Sequence, residues 1–401
     1  MKSSFSASVA KAAFGTLAIL ALSSSMASAG KYKIIHNFSG GADGAVPGYT
    51  LAPDGKGNFI GTANQGGANG DGTVFRLERK NTKWHVRPLY DFTDTDGQPG
   101  WGVALRKGGI YTIGSYASVQ GGPCGSALQL NKASGAAHSP DLSEVLMRTY
   151  VKSQEGCPTG NLVFDTAGNA YGVTQNGGAN GWGSIIELGP TKSGWAETIL
   201  YSFRGQDDGG APYSEMAIDA KGNLYGTASA CASGCFGTVF ELSPSKAGWT
   251  YNVLHTFAGG NDGGQPVAAL TFDAEGNLFG ATSSFGANGG GTVFELSPAN
   301  GTFDVLYSLA GSDGPVAALV LDSVGSIYGT NFMDGAYGYG SVFKLSKTVH
   351  GWHYKDLHDF TGGSDGGYPG GGVVLDASGS LYGTAVLGGA NGLGVLYRIE
   401  Q

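Results

Sequence analysis

The stretch "GNLFGATSSFGANGGGTVFELSP", Gly276 to Pro298, decides how this chain folds. It reads as two short strands, "NLFGAT" and "GTVFELS", joined by a loop of almost nothing but small residues. Glycine weakens a strand interior and has no side chain to bury, so its density here needs a reason beyond local propensity. Outward from this stretch the same text returns: "GNFIG" at Gly57, "GGIYT" at Gly108, "GNAYG" at Gly168, "GNLYG" at Gly222, "GSIYG" at Gly325 and "GSLYG" at Gly379. Each copy is followed by a "GTVF"-like run starting at Gly72, Gly125, Gly183, Gly237, Gly291, Gly340 or Gly394. Between them lie "LYDF", "LYSF", "LHTF", "LYSL" and "LHDF", usually opened by a tryptophan such as Trp84, Trp195, Trp249 or Trp352.

Each unit supplies four strands. Strand A resembles "AALTFD" (268–273), a tight "DAEGN" hairpin leads to strand B, the glycine loop to strand C, and a variable link to strand D, "YNVLHTF". Seven four-stranded units, spaced by about fifty to sixty residues, predict an all-β, seven-bladed β-propeller with antiparallel strands. The seventh unit stops after "GVLYRIE", while a spare D-like strand, "YKIIHNF", stands at Tyr32 to Phe38. That strand is expected to close the last blade. In strand B, Gly280 and its counterparts leave room for another backbone or an aromatic ring to approach closely.

Composition agrees. Charged residues are 13 %, glycines number 73 without a three-residue period, and the net charge is −8. Lys2 and Lys11 flank "AAFGTLAILAL" (Ala12 to Leu22), an apolar core too short to span a bilayer, and "ASAG" ends in small residues. Residues 1–29 read as a secretory signal peptide, leaving 30–401 as one propeller domain. An acidic chain without further long apolar runs gives no reason to expect nucleic acid or a membrane span. A secreted or periplasmic monomer is expected.

The repeat "LHTFAGGNDGGQPVAALTFDAEGNLFGATSSFGANGGGTVFELSP" resembles the GloVer tandem repeat of secreted bacterial choice-of-anchor proteins. The resemblance covers essentially all of 30–401 and implies fold and export but no chemistry. Members of that family often carry a C-terminal surface anchor, and "YRIEQ" departs from that pattern.

The D–A and B–C loops are expected to share one face, and the A–B and C–D turns the other. The D–A loops repeat an acid before glycine at Asp43, Asp96, Asp208, Asp262, Asp313 and Asp365, with Glu155 in the third unit. Asp-Gly makes a tight turn; a ring of such acids is also a candidate for sugar hydroxyls or calcium, although calcium needs several oxygens converging on one point. Calcium is the one cofactor left open. The A–B acids Asp54, Asp165, Asp219, Asp273, Asp322 and Asp376 read as structural hairpin residues.

Aromatics vary between units near the first face. Trp101 and Trp182 are the leading candidate contacts, with Tyr213, Tyr337 and Tyr368 beside them. No histidine falls in a D–A or B–C loop; His36, His255 and His358 sit in D strands, and His138 lies in a C–D insertion. No serine elbow, phosphate loop or zinc spacing occurs.

The function expected is noncatalytic binding or surface interaction, for a carbohydrate, another extracellular polymer or a protein. Two alternatives stand: a polysaccharide lyase or glycosidase using channel-face carboxylates, and a passive matrix or adhesion component. An enzyme would need a unit-specific acid beside the channel, and Asp94, Asp207 and Asp334 are the evident extras near these loops. Export permits disulfides. Loop placement favours Cys124–Cys157 and Cys231–Cys235.

Overall fold

The computed structural model describes residues 31–401 except 95, 116–122, 133–141, 152–155, 233 and 312. Glu155, His138 and the expected signal segment therefore lie outside the described residues. Seven small antiparallel sheets stand in a ring as a seven-bladed β-propeller. In blade 5 the order from the axis outward is A (Thr271–Phe272), B (Leu278–Thr282), C (Gly289–Leu296) and D (Phe303–Ala310). The last blade is made of Val374–Leu375, Leu381–Ala385, Val395–Glu400 and, outermost, Lys31–Asn37. Its register runs from Lys31 opposite Glu400 to Asn37 opposite Val395, and the Lys33 ammonium meets Glu400 at 2.6 Å. The spare strand thus closes the ring.

Strand A is shorter than the sequence suggests, with only two paired residues in blades 5, 6 and 7. The residues before it serve the neighbouring blade instead. Thr227 Oγ1 in blade 4 donates to the Ala268 carbonyl of blade 5, and Thr330 Oγ1 in blade 6 to the Gly371 carbonyl of blade 7.

The core lies between blades. Each of seven buried apolar clusters among the described residues combines two adjacent sheets; one joins Tyr225 and Val239 of blade 4 with Leu270, Leu278 and Phe294 of blade 5. This packing answers the question of the glycines. A Cβ on Gly280 would stand 2.4 Å from Phe294 Cζ, since that ring lies flat over strand B. A Cβ on Gly237 would stand 2.4 Å from Pro266 Cδ of the next blade. Small residues set how closely the wedges approach, and close-packed interiors do not absorb such overlaps cheaply.

Candidate functional site

Residues at or just before the start of the A strands line the axis. Four positions before the hairpin acid, the blades carry Thr50, Asn161, Glu215, Ala269, Ala318 and Gly372. Around these the channel opens into a cavity of about 300 Å³ lined by residues of all seven blades. One side is aromatic. Tyr49 and Trp101 stack with centroids 5.6 Å apart and planes 25° apart, and Tyr213 meets Trp101 edge-on at 4.8 Å. The other side is aliphatic, from Val267, Ala269, Val316 and Ala318. Glu215 and Asn161 supply polar groups. Burial pushes the Glu215 carboxyl above the ordinary carboxylate range, with a hydrogen bond from the Asn161 side chain acting the other way. Burial also raises the Tyr49 and Tyr213 hydroxyls, the latter further through Tyr49. Such a cavity holds a flat, partly apolar ring against the aromatics and fixes its polar edge at Glu215 and Asn161.

Of the sequence candidates, Trp101 and Tyr213 meet here. Tyr368 lies one ring away, 5.4 Å from the cavity-lining Phe332. Tyr337 is exposed to solvent at 61 %. Trp182 does not line the cavity. Its indole lies on Gly205 and Gly210 of the next D–A loop, where any Cβ would collide with it. Phe236 takes the same seat on Gly259, and Tyr339 on Gly362, so the Trp182 position is a wedge between blades.

The D–A acids are tied into their own loops. Asp208 accepts the Arg204 amide at 2.8 Å and the Tyr201 hydroxyl at 2.7 Å. Asp43 accepts the Ser39 amide and pairs with His36 Nε2 at 2.8 Å. Asp262 pairs with His255 at 3.3 Å, Asp365 with His358 at 3.2 Å, and Asp96 accepts the Tyr90 hydroxyl at 2.9 Å. Asp313, half-buried, holds the same loop position in the next unit. Among the described residues, no three His, Cys, Asp or Glu side chains converge as a metal site requires.

No histidine stands in these loops, yet three reach them from strand D. A side chain near the end of strand D reaches over the following loop, so His36, His255 and His358 all bond there. Their rings also bridge blades: His255 stacks on Phe303 at 3.6 Å, His358 on Tyr32 at 3.7 Å, and Tyr201, at the equivalent position, on Tyr251 at 4.0 Å. Burial lowers the His255 and His358 pKa values, opposed by their aspartates.

The extra loop acids lie off the axis. Asp207 is exposed, Asp94 lies beside Asp71, whose carboxyl is raised by desolvation and then by Asp94, and Asp334 shares a rim pocket with Asp356 and Asp359. Sequence reasoning missed Glu215 because the search ran along loops. Aligning the A strands would have found it: it is the sole acid at a position held elsewhere by Thr, Asn, Ala or Gly. Both expected disulfides are present, with Cα–Cα distances of 5.3 Å for Cys124–Cys157 and 5.4 Å for Cys231–Cys235.

Fold and repeat together define a seven-bladed propeller built by tandem duplication. Residues 131–318 match the model of the Gloeobacter/Verrucomicrobia repeat. No curated protein is significantly similar in sequence. Among solved structures the chain is similar to a candidate 6-phosphogluconolactonase from Bacteroides fragilis, at 16 % identity and TM-score 0.52 over 82 % of this chain and 87 % of that one. A second candidate 6-phosphogluconolactonase, from Bacteroides uniformis, gives 11 %, 0.50, 77 % and 83 %. YCF48 bound to a D1 peptide gives 12 %, 0.51, 93 % and 96 %. At these identities the likeness is one of fold.

Proposed function

We propose that this is an exported, noncatalytic binding propeller, a monomer whose residues 1–29 direct secretion, and that it seats a sugar ring or sugar end group in the axial cavity. The observation that carries the reading is the cavity itself: an aromatic wall of Tyr49, Trp101 and Tyr213 facing a unit-specific Glu215 with Asn161. At about 300 Å³ it suits one small ring rather than a threaded polymer. Aromatic stacking with one or two polar anchors is how such a site gains orientation. The disulfides suit an oxidising compartment, and the described residues contain no helix long and apolar enough to cross a membrane.

A second reading rests on Glu215 as well. A carboxyl whose pKa is raised by burial is suited to act as a general acid. Glycoside hydrolysis, however, ordinarily needs two carboxyl groups across the scissile bond, and Glu215 is the one carboxyl among the described residues lining the cavity.

The test is a thermal-shift screen of the purified protein against mono- and disaccharides, followed by calorimetry. A ligand of the folded state raises Tm. Trp101→Ala should weaken it about thirtyfold, the loss of an aromatic anchor of about 2 kcal/mol. Affinity unchanged in both Trp101→Ala and Tyr213→Ala would remove the cavity from consideration. Turnover abolished by Glu215→Gln would establish the enzyme instead. Binding to cells or polymers alone, with no small-ligand shift, would favour an adhesion role.

A further inference from the structure

On the opposite face, the A–B hairpins of neighbouring blades frame clefts at the junctions of blades 1 and 2 and of blades 4 and 5, and the two differ in charge. Between blades 4 and 5 the cleft of about 570 Å³ is lined by Asp219, Glu241, Asp273 and Glu275 against the single Lys221. Between blades 1 and 2 a cleft of about 770 Å³ is lined by Lys56, Arg76, Arg87, Arg106, Lys107 and Lys132. Its one acid, Asp54, is held by Arg76 at 2.9 Å. Nearby Glu78 pairs with Lys80 at 2.7 Å and lies 3.8 Å from Arg87. Part of the inversion comes from the one unit that abandons the hairpin acid: blade 2 reads "RKGG" (106–109) where the others open with Asp. Cations gathered along one cleft repel one another, and a chain of net charge −8 does not gather them by composition.

We infer that the blade 1–2 cleft is a second binding site, separate from the axial cavity, for a small ligand carrying two or more carboxylate or phosphate groups on a partly apolar frame. The guanidinium forks of Arg76 and Arg87 suit planar or tetrahedral oxyanions, while that of Arg106 turns to the Asp165 and Thr166 carbonyls of blade 3. The exposed Lys56, Lys107 and Lys132 add adaptable point charges at the rim. Ile60, Leu89, Leu105 and Ile110 give the floor an apolar frame to cover. Acidic surface beyond the cleft favours a short ligand over a long polyanion, which would have to run across it.

The test is calorimetry at low salt on the whole protein with three probes: trigalacturonate, pyrophosphate and the neutral maltotriose. Trigalacturonate, pyrophosphate or both should bind at one site, weaken with added salt, and bind roughly tenfold or more weakly to the triple variant Lys56→Gln, Lys107→Gln, Lys132→Gln. The change Lys221→Gln in the acidic cleft should leave that affinity alone, and Trp101→Ala should too, which separates this site from the axial one. Which charged probe binds identifies the anion. Failure of both, maltotriose binding that the triple variant weakens equally, or a triple variant that is folded by circular dichroism and binds like the parent overturns the inference.

Discussion

Blades 5 and 2 share one four-stranded plan and use it differently. Blade 5 keeps the repeat: Phe294 lies over Gly280, and the hairpin acid Asp273 accepts the Glu275 and Asn277 amides at 3.0 and 2.8 Å. Blade 2, with strands Gln98–Arg106, Gly109–Ser115, Pro123–Lys132 and Leu142–Val151, has lost that acid. Arg106 instead donates to the Thr166 carbonyl of blade 3 at 3.2 Å and lies 5.6 Å from the Phe164 ring. Blade 2 also supplies Trp101 to the axial cavity, Arg106, Lys107 and Lys132 to the basic cleft, and the cysteine that crosses to Cys157. The contrast teaches that the wedge contacts between sheets are what the architecture requires. Where a unit departs from the repeat at its strand start or hairpin, the fold survives and the surface gains chemistry.

The largest effect that could break this contrast is on stability. Phe294→Ala in blade 5 should cost about 3–5 kcal/mol, since the ring is fully buried. Trp101→Ala, at the edge of a solvent-reached cavity, should cost less than half of that. Equal shifts of the denaturation midpoint would show that blade 2's aromatic is as architectural as blade 5's.

Next come the crosslinks. Cys124–Cys157 closes a separation of 33 residues and Cys231–Cys235 one of 4. In the chain-entropy account, losing the first should cost about 3–4 kcal/mol and losing the second about 2 kcal/mol. Paired cysteine-to-alanine variants compared by chemical denaturation would test the order, and a reversal would show that the short loop in blade 4 does more than limit the unfolded chain.

Smaller, but opposite in sign, are two pH effects. Burial acts against Asp322, yet the Ser326 amide, the Tyr328 hydroxyl and the Val324 amide hold its carboxyl below the usual range. Its contribution is present above the unfolded-state pKa near 3.9 and is lost as pH falls through the lower folded value. Asp322→Asn should cost about 1 kcal/mol at pH 7, and the cost should shrink as pH falls below the unfolded-state value. Glu215 is raised, so its unfavourable ionisation grows as pH rises from the unfolded-state pKa near 4.3 through the folded value. Glu215→Gln should therefore raise Tm at neutral pH, and the gain should fade toward pH 4. Melting curves across this range would show parallel trends if Glu215 were only another hairpin-like acid.

Local text determined the repeat, the seven blades, the strand order and the closing strand. Those follow from period-two strands, Asp-Gly turns and a unit length that every copy restates, and each of the repeated "DxxGN" acids bonds within its own hairpin. Even the pairing of the cysteines was legible, because neighbouring loops in the sequence are neighbouring loops in the ring. Tertiary structure alone decided which side chains reach the axis. Trp101 and Trp182 both stand near loops on one face, but strand A delivers the first to the cavity while the second is spent wedging Gly205. Glu215 sits mid-repeat in an unremarkable "YSEMAID", and only the convergence of seven A strands encloses it. The basic cleft likewise draws Lys56 and Lys107, 51 positions apart in the chain, to one junction. Burial and convergence are properties of the closed ring, so residues at these sites acquire their electrostatics only when the sheets meet.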